Sequence, residues 1–127
     1  MFKMSKLIKP CVFDKKQKAV RNLNRLYMKY ISSEGALKEY YFGLSDVLVH
    51  FIADILDLEY ETTSKELLKL IKEDNNPFYS RYDDISSMFA KFDDIKYTKN
   101  DFDDKEVFLE NFKKTREIIE KTYIKPE

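Results

Sequence analysis

Glycine, proline and cysteine are scarce in this chain and tryptophan is missing: 127 residues hold 2 Gly, 3 Pro, 1 Cys and no Trp. Each shortage excludes something. With Gly35 and Gly43 alone, no phosphate-cradling loop of the Walker or dinucleotide type can be written, which removes nucleotide enzymes built on such loops. A lone Cys11 cannot close an internal disulfide, and without a CxxC or Cys/His cluster there is no structural zinc signature, so a reducing compartment is expected. No apolar run approaches the roughly 20 residues of a membrane-spanning helix; the best candidate is interrupted by Asp46, His50 and Asp54. The opening "MFKMSKLIKPCVF" is too broken by Lys3, Lys6, Lys9 and Pro10 to be a secretory signal. The expectation is a soluble, cytoplasmic chain.

What is present is apolar (43%), aromatic (15%) and charged (36%) residues in proportions that permit a core under a heavily solvated exterior. The length fits one domain. Few turn residues and abundant Lys, Glu, Leu and Ile point to long helices. Residues 1–13 read as an irregular basic lead-in and 14–127 as a helical bundle. Asp14 with Gln17 has the form of a capping box, opening a first helix that runs to about Ser33 with a core stripe of Val20, Leu23, Tyr27 and Tyr30 or Ile31. A second helix spans about Ala36 to Asp57 and is apolar around more than half its circumference, which makes it the central one. Thr63 with Glu66 opens a third, with Leu67, Leu70 and Ile71 as its stripe. A fourth covers about Tyr82 to Phe92. Asp103 with Glu106 opens the last, whose stripe is Phe108, Phe112, Thr115, Ile119 and Thr122. No alternating run or Asn-Gly hairpin suggests a strand. The expected fold is therefore an all-α, single-domain bundle of about five helices.

One stretch has the spacing of a chemical site. In "LSDVLVHFIADILDLEY", Asp46, His50, Asp54 and Asp57 recur at steps of four, four and three, the interval that stacks side chains on one helix face. Carboxylate helices of di-iron bundles use Glu-x-x-His turned toward the core. Here the acids are the shorter Asp, and on a wheel at 100° per residue they fall with Glu39 and Gly43 in an arc of about 80° opposite the apolar centre. A solvated face is the expected reading, with a metal-dependent helical-bundle protein as the alternative. His50 is the only histidine, so Ser/His/Asp or Cys/His catalysis would have to run through it, and no Gly-x-Ser-x-Gly elbow accompanies it. The pairs Asp83-Asp84, Asp93-Asp94 and Asp103-Asp104 lack the order and the glycine of a calcium loop. No enzyme activity, cofactor or small-molecule substrate is expected. Phe42, Tyr79 and Phe102 exceed what the core stripes need and are candidates for exposed aromatic contacts.

Net charge is zero, yet it is polarised. Residues 1–30 hold nine Lys or Arg against Asp14 alone, a net +8, so the other 97 residues carry −8. Lys15, Lys16, Lys18, Arg21 and Arg25 are the basic residues expected to face an anionic membrane or a partner. A nucleic-acid adaptor is a further alternative, ranked below because no reading motif is present and the acidic remainder would repel phosphate.

The order and spacing of three segments resemble a known family. Tyr40, Tyr41, Leu44 and Leu48 match a Phe/Tyr-Tyr-x-x-Leu-x-x-x-Leu start, Thr63, Glu66, Leu67 and Leu68 match a Thr-x-x-Glu-Leu/Ile-Leu helix opening, and Asp93, Lys96 and Tyr97 match an Asp-x-x-Lys-Phe/Tyr turn. Together, over roughly residues 15 to 123, these are similar to the helical cytoplasmic domain of BatD-type aerotolerance proteins and their short relatives. Such domains normally follow a membrane segment, which this sequence lacks, so the resemblance implies a trimmed chain or a soluble relative. It also implies a non-enzymatic component of systems that contain a MoxR-type AAA+ ATPase and von Willebrand factor A proteins, at the cytoplasmic face of the bacterial inner membrane. The basic first helix agrees with the positive-inside tendency of membrane-proximal segments.

Overall fold

A computed structural model describes residues 12–32, 37–59, 61–73, 76–97 and 105–122. Among them are five α-helices, α1 (Val12–Ser32), α2 (Leu37–Leu56), α3 (Ser64–Ile71), α4 (Tyr82–Lys96) and α5 (Lys105–Lys121), with a single 3₁₀ turn at Tyr79–Arg81 and no strand. The all-α bundle expected from composition and periodicity is what forms. The helix boundaries differ from the sequence expectations in two places. α1 already includes Val12, so Asp14 stands in its first turn rather than ahead of it, and a carboxylate there faces the positive end of the helix dipole. α4 runs to Lys96, a turn beyond Phe92, because Ile95 adds one more buried apolar residue in register with Phe92 and Met88. Asp103 and Phe102 lie outside the described residues, and Thr63–Glu66 makes its capping box in full.

α2 is the hub: α1, α4, α5 and α3 all pack on it, while α5 also packs on α1 and α3 braces α4. Its Tyr41, Leu44, Leu48, Phe51 and Ile52 are buried almost completely, which is why its sequence is apolar over most of its circumference. Burial of this kind stabilises by about 1.5–3 kcal/mol per large apolar side chain. Aromatic rings knit four helices together. Phe108 of α5 lies 4.7 Å from Tyr30 of α1 and 5.2 Å from Tyr41 of α2, centroid to centroid. Phe92 of α4 joins the cluster 5.8 Å from Tyr41. One polar contact runs inside this cluster, where Asn111 Nδ2 donates to the Tyr41 hydroxyl at 3.1 Å. A buried donor must find a partner to avoid its desolvation penalty, so this pair fixes the register of α5 against α2.

Two apolar stripes differ in part from expectation. On α1 the residues turned inward are Ala19, Val20, Leu23, Leu26 and Tyr30, so Val20, Leu23 and Tyr30 pack as expected, whereas Tyr27 rides at their edge on Phe112 and Ile31, the alternative to Tyr30, is 56% exposed. At Gly43 the two helices come close: a Cβ at that position would lie within 2.7 Å of Leu26 Cδ1, so Leu26 sits over bare backbone of α2. Gly43 thus belongs to a helix crossing rather than to an open polar arc. On α3, Leu67 and Ile71 are buried and Leu68 packs partly against the core, but Leu70 is 40% exposed.

Candidate functional site

The four members of the acidic and histidine stripe have separate local roles. Asp57 has φ 59° and ends α2: the Leu58 amide donates to the Ala53 carbonyl at 2.8 Å and the Asp57 amide to Asp54 at 3.4 Å. The longer-span bond is that of a Schellman stop, with Asp in the left-handed position usually held by Gly. Asp54 is bound to α1, its carbonyl accepting from Lys15 Nζ at 2.8 Å and its carboxylate paired with Lys18 Nζ at 3.4 Å. Asp46 and His50 line a shallow groove of α2 that continues through Thr63 and Lys65 to Asp93, Lys96 and Tyr97. Among the described residues, no three His, Cys, Asp or Glu side chains converge as metal ligands would.

The basic helix divides in the same way. Lys16 Nζ donates to the carbonyls of Thr122 at 2.7 Å and Glu120 at 3.1 Å, at the C-terminal end of α5. Burial holds the Lys16 ammonium below the ordinary lysine value, although the Glu120 carboxylate pulls it the other way. The last carbonyls of a helix have no partner within it and carry the negative end of its dipole. Lys15 and Lys16 therefore cap α2 and α5 respectively and hold α1 across both ends. Of the residues expected to meet an outside surface, these two are directed into the molecule, and Lys18 is shared between solvent and Asp54.

Arg21 and Arg25 do face outward, and the structure adds Lys29, Met28 and Ile31 to them. Arg21, Arg25 and Lys29 are exposed, and among the described residues none of their side chains forms an ion pair. Met28 is 59% and Ile31 56% exposed. At 100° per residue, Lys18, Arg21, Arg25 and Lys29 cover one flank of the outward face over about 80°, and Met28 and Ile31 cover the flank beside it. Met28 follows Arg21 and Arg25 by seven and three residues, the spacing of one helix face. Of the two, only Ile31 is a candidate for the core stripe; the place of Met28 beside the cations follows from that spacing.

The residues of the three family-like segments take packing and capping roles. Tyr40, Tyr41, Leu44, Leu48 and Leu67 are buried, and Tyr40 donates its hydroxyl to the Lys29 carbonyl at 3.0 Å. Glu66 Oε1 accepts from the Thr63 amide at 2.9 Å while Thr63 Oγ1 accepts from the Glu66 amide at 3.2 Å. These bonds to Thr63, backbone first and side chain second, hold the Glu66 carboxyl below its ordinary range. Lys96 pairs with Asp93 at 3.6 Å, reaches Ser45 Oγ at 3.4 Å, and lies 5.0 Å and 5.6 Å from the ring centroids of Phe42 and Tyr97. Its ammonium is thus enclosed by two rings, of which Tyr97 is 72% and Phe42 40% exposed. Phe42 and Tyr79 are both on the surface as expected. No helix among the described residues is long and apolar enough to cross a membrane. Comparison with protein-family models, with curated proteins and with solved structures gave no match.

Proposed function

We propose that this chain is a non-enzymatic interaction module working at the cytoplasmic face of a bacterial inner membrane, in contact with a protein partner. The observation that carries the reading is the outward face of α1, where Arg21, Arg25 and Lys29 stand beside exposed Met28 and Ile31 with no ion pair among the described residues. Cations and apolar side chains held together on an exposed helix surface suit an anionic interface. The resemblance to BatD-type domains supports the class of partner, a MoxR-type AAA+ ATPase or a von Willebrand factor A protein, and the exposed rings of Phe42 and Tyr97 offer it an aromatic contact.

The test is affinity capture from a lysate of the source bacterium, with the whole chain as bait beside an Arg21→Gln/Arg25→Gln/Lys29→Gln bait. Enrichment of an AAA+ ATPase or a von Willebrand factor A protein is the expected result. Recovery of lipid or nucleic acid alone, lost with the three cations, would remove the protein partner from the reading.

A further inference from the structure

Resting on the membrane-face reading, we infer that α1 from Arg21 onward is the lipid-contacting element of this protein, with Met28 and Ile31 entering an anionic bilayer and Arg21, Arg25 and Lys29 holding its headgroups. The assignment narrows the contact to one part of a helix whose whole length is basic. Lys15 and Lys16 are spent on the carbonyl ends of α2 and α5, and Lys18 is drawn to Asp54. A membrane would have to strip these bonds to recruit them. The three cations further along have none to lose.

Charge and shape both select the occupant. After Asp14, α1 contains no acidic residue, so an approaching anionic surface meets attraction along the entire ridge. The ridge is convex, being the outside of a helix whose inner line, Ala19, Leu23, Leu26 and Tyr30, is packed into the bundle. An amphipathic peptide partner docks by laying its apolar face in a groove; a convex strip with cations on one flank and apolar side chains on the other matches the headgroup and acyl layers of a bilayer instead. Arg and Lys reach outward on apolar stems, so Met28 and Ile31 can sink while the charges stay at headgroup level.

The experiment is co-sedimentation of the intact chain with vesicles of mixed phosphatidylcholine and phosphatidylglycerol, beside pure phosphatidylcholine, at two salt concentrations. Circular dichroism melts confirm that each variant is folded, and light scattering reports self-association. The parent should bind the anionic vesicles and not the neutral ones. Arg21→Gln/Arg25→Gln/Lys29→Gln should weaken binding on the order of a hundredfold, at about fivefold per cation. Met28→Ser/Ile31→Ser should weaken it roughly tenfold or more, and less salt-dependently. Lys69→Gln/Lys91→Gln/Lys113→Gln removes the same charge from exposed positions elsewhere and should change binding little. If this control loses as much as the α1 triple, or if Met28→Ser/Ile31→Ser binds like the parent, the assignment to α1 fails while membrane association stands. If the parent ignores anionic vesicles, the membrane-face reading fails with it. A dimer broken by Met28→Ser/Ile31→Ser, or nucleic acid bound in place of vesicles, would likewise overturn the inference.

Discussion

The two halves of α1 are both rich in cations, Lys15, Lys16 and Lys18 in the first and Arg21, Arg25 and Lys29 from the middle onward, and they end in opposite situations. In the first half Lys15 and Lys16 turn inward and close the carbonyl ends of α2 and α5. From the middle onward Arg21, Arg25 and Lys29 project outward, with Met28 and Ile31 beside them. Nothing local distinguishes a lysine that caps a distant helix from an arginine left on the surface. What separates them is where α2 and α5 stop, and those ends reach Lys15 and Lys16 only because both helices run antiparallel to α1. A cationic run therefore measures potential for contact, and the tertiary arrangement divides it between internal and external uses.

The comparison breaks most completely if the scaffold under both halves is removed. Phe108 touches Tyr30, Tyr40, Tyr41 and Phe112 and is fully buried. Phe108→Ala should destabilise the fold by about 3–5 kcal/mol, measured as a shift of the urea midpoint with an unchanged slope. A loss below about 1 kcal/mol would mean that α5 is held by something other than this ring cluster.

Next in size is the contrast between the halves themselves. Lys15→Met/Lys16→Met keeps most of the apolar stem of each side chain and removes the donors to the carbonyls of Asp54, Glu120 and Thr122. The expected cost is about 2–4 kcal/mol, from charged hydrogen bonds worth about 1.5–3 kcal/mol each less the relief of desolvating two ammonium groups. Neutralising Arg21, Arg25 and Lys29 to Gln should stay within about 0.5 kcal/mol of the parent for each site, as befits surface positions without partners. Equal costs in the two variants would erase the distinction.

How much of this could be read from the sequence depends on the range of the interaction. Helix-internal signals were legible: the four-three spacing of Phe108, Phe112, Thr115, Ile119 and Thr122 names residues that are all buried, and Thr63 with Glu66 names a capping box that forms. The steps that failed involve a second helix. Of the alternatives Tyr30 and Ile31, Tyr30 is the one packed on the core, and Leu70 satisfied a periodic pattern yet lies outside. The outer arc of α2 looked uniform on a wheel, but Gly43 and Asp54 are claimed by α1 and Asp57 by chain reversal. The outward site was legible in its cations and missed in its apolar residues, since periodicity cannot tell an apolar residue at the rim of a core from one displayed to solvent.

α3 contrasts with α1 in being fixed by its own residues. Thr63→Ala should cost about 1 kcal/mol, the ordinary worth of an N-cap. Glu66 adds a pH signature. Its folded value is lowered from 4.5, so its contribution is present above that pH and is lost as pH falls through the folded value. The stability difference between the parent and Glu66→Gln should accordingly shrink in acid, read by denaturant titrations at pH 7 and below pH 4.5. A gap that widened in acid would contradict the hydrogen-bonding pattern.

The smallest effect concerns Asp57, the residue whose place in the stripe looked chemical and whose backbone is committed to ending α2. At φ 59° an L side chain is strained and Gly is not, while a carboxylate after the last turn opposes the helix dipole. Asp57→Gly should therefore stabilise by about 0.5–1 kcal/mol despite the entropy glycine adds to the unfolded chain. Asp57→Ala relieves the charge but tolerates the left-handed region less well than Asp does, so it should be neutral or destabilising by about 0.5 kcal/mol. Opposite signs for Gly and Ala separate a backbone role from a charge role: if both variants gain equally, repulsion at the helix end is the whole effect, and if both lose, the Asp57 carboxylate makes a contribution of its own.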